Sequence, residues 1–191
     1  MSTLSFEKSQ EILHKYCTEP HLLSHALAVA SAMEAMAEHF GADPQYWKAI
    51  GYLHDVDYQN YPEEHLQHTE ELLQPEGVSQ EDIRAIISHG WGLCSDVEPV
   101  SDMEKSLYTV DELTGIIMAA ALMRPSGISD LETKSAMKKF KDKRFAAKCD
   151  RDLILNGCTM LGMELAQVME ITIAGMKTQM EALGLTGKAN D

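Results

Sequence analysis

The stretch AIGYLHDVDYQNYPEEH, Ala49 to His65, runs an apolar segment into a polar loop and sets a histidine and an aspartate, His54 and Asp55, at the junction. Upstream, Asp43 and Pro44 form an N-cap followed by a first-turn proline, so a helix opens there and closes near His54 or Asp55. Residues three and four apart share a helix face, which puts Trp47, Ile50, Gly51 and then His54 on one side. Adjacent residues in a continuing helix point about 100° apart. At a helix end the last residue can turn in, and both members of the pair can then address a single partner.

Working outward, helical spacing dominates, and no segment alternates apolar and polar residues over strand length. The expected fold is all-α, a compact bundle of about eight or nine helices. A first helix is expected over Ser5 to Cys17, and a second from Pro20 to His39, ending before Gly41. A short helix is expected around His65 to Leu73. Capping patterns mark further starts at Ser79 with Asp82, Ser101 with Glu104 and Ser129 with Glu132. Two later helices are read near Asp150 to Met160 and Glu164 to Leu183.

At 191 residues, 45% hydrophobic and 24% charged, the chain is expected to form one domain over residues 1–191 with a sizeable core. No apolar run approaches the ~20 residues of a membrane span, and the opening MSTLSFEKSQEIL lacks a basic patch ahead of an apolar core. A soluble, cytoplasmic protein is the expectation. Cys17, Cys94, Cys149 and Cys158 form no CxxC pair and are read as thiols. A formal net charge of −14 argues against nucleic acid and anionic membranes as partners and favours small molecules; a homodimer stays open.

Four helical stripes carry a polar group where an apolar one is expected. Leu22, His25, Val29, Met33 and Met36 form one; Trp47, Ile50, Gly51 and His54 another; Ile83, Ile86 and His89 a third. The fourth is Met103, Leu107, Asp111, Thr114 and Met118. One inward histidine is commonly a hydrogen-bonded core residue. Asp111 is costlier, because an unpaired carboxylate among Leu107 and Met118 loses several kcal/mol of solvation, and Lys105 lies off its stripe. That leaves a distant partner or a bound metal, which histidines and aspartates converging from several helices would hold.

The series His25, His54-Asp55, His65, His89 and Asp111 resembles the H…HD…H…H…D signature of the HD-domain superfamily of metal-dependent phosphohydrolases. The likeness runs from about residue 20 to 115. The later text DELTGIIMAAALMRPS and KKFKDKRFAAKCDRD is similar to small stand-alone bacterial members, with helices over residues 129–185 packing on the signature core. The resemblance implies an all-α fold around one or two divalent ions, with His25, His54, Asp55 and Asp111 as ligands of the first. It implies that His65 and His89 hold a second ion or contact the phosphate, with His68 a rival for His65, while His14, His21 and His39 lie on the surface. It also implies hydrolysis of a small phosphate ester, a nucleotide foremost, by a metal-activated water. Where some relatives carry a glutamate as proton donor, three residues after the dyad's aspartate, this chain has Tyr58; Asp57 is the substitute, against a solvated loop carboxylate.

Asp55, His65, His89 and Asp57 are thus the catalytic candidates. Manganese, iron(II), cobalt, nickel and zinc all suit nitrogen and oxygen donors without cysteine. The other readings are an inactive HD domain that senses a nucleotide, and a helical scaffold with buried histidines. Lys134 to Lys148 holds seven of the 16 basic residues and one acid, Asp142. It is either a solvated face or a route for an anionic substrate, with Arg124 and Lys134 on the phosphate and the remaining lysines steering it.

Overall fold

Local capping chemistry sets most of the helix starts. In a computed structural model describing residues 4–188, Ser5, Asp43, Ser79 and Asp150 each accept a backbone N–H of the turn they open. Ser101 and Glu104 complete a reciprocal capping box. Nine α-helices result among the described residues: α1 (Phe6–Tyr16), α2 (Pro20–Phe40), α3 (Pro44–Leu53), α4 (Thr69–Leu73), α5 (Gln80–Ile87), α6 (Asp102–Leu122), α7 (Thr133–Lys141), α8 (Arg151–Leu161) and α9 (Leu165–Lys177). There is no strand among them, and none is long and apolar enough to cross a membrane.

The two longest helices form the centre. α2 buries Ala28, Val29, Ala32, Met33 and Met36, with small alanines letting neighbours approach closely, and it packs on α3, α6 and α9. Gly41, left-handed at φ 66°, ends it. α6 buries Leu107, Val110, Leu113, Ile116 and Ile117 and packs on α8 as well as α2. α1 lies against α3. The core therefore joins the signature segment to helices more than 150 residues into the chain.

Gly157 on α8 makes the α6–α8 approach close. A Cβ there would fall 2.0 Å from Thr109 Oγ1, and that hydroxyl is held by donation to the Lys105 carbonyl at 2.7 Å. Gly157→Ala should therefore push α8 off α6 at a cost of about 1–3 kcal/mol, lowering the Tm by several degrees. An unchanged melting curve would count against this packing.

Four expectations are corrected. Ser129 caps nothing: its hydroxyl donates to the Ser126 carbonyl, and α7 begins at Thr133 after Glu132. Burial of Ile128 and Leu131 pulls that segment onto the core as a turn. The His65–Leu73 helix starts only at Thr69, because Leu66 is buried in a left-handed conformation at φ 68°. His89 follows α5 in a short 3-10 turn, Ser88–Gly90. α9 stops at Lys177, and turns carry Leu183 and Leu185 into the core.

Candidate metal centre

Four helical regions deliver the donors to one point. His25 comes from the first half of α2, His54 caps the end of α3 with Asp55 following it, His89 sits in the turn after α5, and Asp111 is midway along α6. His65 arrives from the loop between α3 and α4. The pair at the α3 terminus does turn toward a common partner: His54 Nε2 lies 3.2 Å from Asp55 Oδ2.

An inner group is formed by His25 Nε2, His54 Nε2, Asp55 Oδ2 and Asp111 Oδ1. His25 Nε2 is 3.1 Å from His54 Nε2, 2.9 Å from Asp111 Oδ1 and 3.5 Å from Asp55 Oδ2; His54 Nε2 is 3.3 Å from Asp111 Oδ1. An outer group joins Asp55 Oδ1 to His65 Nε2 at 3.2 Å and His89 Nε2 at 3.5 Å, with the two imidazole nitrogens 3.3 Å apart. Asp55 thus offers one oxygen to each group. Asp111 Oδ2 is 3.9 Å from His89.

The donor chemistry fits metal ions. Donors bonded at about 2.0–2.2 Å to a common ion sit roughly 3 Å apart, which is the spacing seen. Tautomers agree as well. His54 Nδ1 donates to the Gly51 carbonyl at 2.7 Å, His89 Nδ1 to the Ile86 carbonyl at 2.6 Å, and His65 Nδ1 to Asp57 Oδ1 at 2.8 Å. With their Nδ1 protons so committed, all three present Nε2 lone pairs inward. The sets His25/His54/Asp55, His54/His89/Asp111 and Asp55/His65/His89 could each hold an ion.

A family model described as HD domain matches residues 22–113. The chain belongs to the HD-domain superfamily. No curated protein and no solved structure gave a match. The superfamily is one of metal-dependent phosphohydrolases, and in this HD domain the six signature residues meet around the two groups described.

Electrostatics point the same way. Burial would lower the pKa of His54, but Asp55 and Asp111 beside it hold it well above its usual value. Burial likewise opposes charge on His65, and hydrogen bonds to Asp55 and Asp57 outweigh this and push it up to about 9. Both carboxyls of the centre, which burial would raise, are held well below the usual range by the imidazoles. Two half-buried carboxylates therefore demand cations, and without metal His54 and His65 supply them as protons.

A pH signature follows. Since His65 titrates near 9 in the folded metal-free protein against about 6.5 unfolded, its stabilisation is complete below about pH 6.5 and lost as pH rises toward 9. Metal binding displaces the same protons, so affinity should rise over that range. Calorimetric titration with Mn²⁺ at pH 7 in buffers of different ionisation enthalpy should show proton release; a buffer-independent heat would refute it.

The HD centre opens into a cleft of about 390 Å³, lined by His25, Asp55, His65, His89 and Asp111 on one side. The remaining wall includes Glu112, Cys94, Cys149, Tyr58 and three leucines. Burial pushes the Cys149 thiol up to about 11 and raises Cys94, keeping both neutral. Nothing local marked Cys149 or Leu153, which enter from the far end of the chain. Glu112, beside Asp111, accepts the Asp150 N–H at 3.0 Å and ties the cleft to the start of α8. His21, expected only at the surface, is exposed but stands at the mouth; His14 and His39 are exposed elsewhere.

Three expectations for the site fail. Asp57 is neither a solvated carboxylate nor placed to give a proton to substrate: it is wholly buried, lies outside the cleft lining, and accepts from His65, the His68 N–H and the Thr69 hydroxyl. Arg124 lies two residues past the end of α6, whose last residue is already about 16 Å along the helix axis from Asp111, and pairs with Asp130. Lys134 stands against Glu170, Ile173 and Lys177 of α9, away from the cleft. His68 is also away, held by Glu64 and Glu71 and stacked on Tyr61, which leaves His65 as the inward histidine.

Proposed function

We propose that this chain is a metal-dependent phosphohydrolase acting on a small phosphate ester, with two divalent ions in the inner and outer groups. The observation that carries the reading is Asp55, whose two oxygens face two separate donor groups at the floor of an open cleft. His25, His54, Asp55 and Asp111 would hold the first ion, and Asp55, His65 and His89 the second, drawn from manganese, iron(II), cobalt, nickel or zinc. Bound there, the ions would supply a water acidic enough to attack phosphorus near neutral pH and would draw electron density from a phosphoryl oxygen.

The chain's own groups do the positioning. Asp57, Gly51 and Ile86 fix the three imidazole rings, so the donors are aligned before substrate enters. Tyr58 packs edge-on to His65 and lines the mouth, where its hydroxyl can donate to a phosphoryl or leaving oxygen. Glu112 is the carboxylate of the lining nearest in sequence to the donors and the candidate to hold a proton at its side-chain oxygen for the departing alkoxide. The family likeness makes a nucleotide one candidate within the substrate class.

The test is metal analysis of the purified protein followed by assay of a panel of phosphate esters with Mn²⁺, Fe²⁺, Co²⁺, Ni²⁺ and Zn²⁺. Metal-dependent release of phosphate supports the proposal. A metal-loaded protein inert to the whole panel would overturn it in favour of a nucleotide-sensing module.

A further inference from the structure

Beyond the metal-facing residues, the walls of the cleft are formed mainly by Leu22, Leu93, Leu153, Tyr58 and the neutral thiols Cys94 and Cys149, with His21 at the mouth and Glu112 beside Asp111. Leu93 is 64% exposed and Tyr58 40%, which places two of the fold's few water-facing large apolar side chains at this one opening. Together with Leu22 and Leu153 they give the opening an apolar face of the kind a ligand surface uses.

Charge on the walls is missing where a polyphosphate would need it. Among the described residues no lysine or arginine lines the cleft. The basic run ends at Lys148, next to Cys149 in the wall, yet Lys143, Arg144 and Lys148 are exposed and outside the lining. Two divalent ions balanced by Asp55 and Asp111 leave a positive surplus matched by one phosphoryl dianion. Further phosphates would lie among leucines with no lysine or arginine to offset their charge, in a partly desolvated site where mutual repulsion is strong. The volume, about 390 Å³, is near the small end of ligand pockets, which span about 300–1,000 Å³.

We infer that the substrate carries a single phosphoryl group on a small, uncharged, apolar-faced organic part, and that nucleoside di- and triphosphates are excluded. The inference rests on the phosphohydrolase reading above and narrows it.

Steady-state kinetics of the Mn²⁺-loaded protein with phenyl phosphate, AMP, ADP and ATP at one ionic strength tests it. Phenyl phosphate should exceed ADP and ATP in kcat/KM by about tenfold or more, the order of effect that local charge has on an anionic substrate. Leu93→Arg, tolerated at so exposed a position, should narrow the phenyl phosphate to ADP ratio by placing a cation at the mouth. ADP or ATP turned over as well as phenyl phosphate by the wild type would overturn the substrate class while leaving the hydrolase reading intact. Metal-loaded protein that hydrolyses none of the four would remove the hydrolase reading, and this inference with it.

Discussion

Asp55→Ala is expected to empty both metal groups at once. Among the described residues no other side chain gives one oxygen to His25 and His54 and its second to His65 and His89, so each group is left short of a carboxylate by a single change. Elemental analysis should fall to background where the wild type holds up to two ions. Loss of one oxyanion-hole donor alone costs about 10²–10³ in rate, so loss of the whole centre should reduce phosphate-ester turnover beyond about 10³-fold. The wild type should also gain about 2.7 kcal/mol of stability in Mn²⁺ at 100 times its Kd, and the variant nothing. A variant that retains both ions would show that the donors have been grouped wrongly.

Asp57→Asn should separate the two groups. Oδ2 of Asp57 takes the His68 N–H at 3.3 Å and the Thr69 hydroxyl at 3.1 Å, while Oδ1 takes His65 Nδ1 at 2.8 Å. An asparagine has one carbonyl oxygen, and the peptide N–H cannot be turned into an acceptor, so that oxygen must stay on the His68 and Thr69 side. The amide NH₂ then faces His65 Nδ1 and donates to it. The imidazole proton moves to Nε2, the atom aimed at Asp55, and His65 ceases to be a ligand. Outer-ion affinity should fall about 10–100-fold or more, with inner-ion affinity close to wild type. Asp57→Ala, which leaves the tautomer free, should bind the outer ion better than Asp57→Asn. Equal two-ion binding by wild type and Asp57→Asn, read by metal titration, would refute the tautomer argument.

What was legible in the chain follows from the range of the forces involved. Caps act over three residues, so Asp43, Ser79 and Ser101 could be read directly and the helices start where they indicate. Ser129 failed because burial of Ile128 and Leu131, a tertiary effect, overrode a local pattern. His25, His54, His89 and Asp111 were readable because helical spacing exposes a polar residue on an apolar stripe, Asp55 because it closes the same helix as His54, and His65 only through the family resemblance; all six do converge. Asp57 was misread because its partners lie eight to twelve residues further on, and nothing in DVDYQNYPEEH distinguishes a buried aspartate from a solvated one. Arg124 was placed by its position at the end of the Asp111 helix, whereas the rest of that helix carries the chain about 16 Å from Asp111 before it ends, and Lys134 by its spacing from Met137, which does not say against which helix it packs. Cys149 and Leu153 reach the cleft only through the packing of α8 on α6, which no local pattern announces.

The close approaches of the last two helices also set an order of events during synthesis. Gly157 touches Thr109, two residues from Asp111, and Gly175 lies against the backbone of Ser31, six residues from His25. The walls that carry the first and last donors are therefore braced from behind by segments that leave the ribosome after all six donors have emerged. A chain cut before α9 would keep all six donors and lose the helix that lies against the back of α2, so it is expected to bind Mn²⁺ more weakly than the chain that carries α9, and equal affinity would show that the brace does not matter.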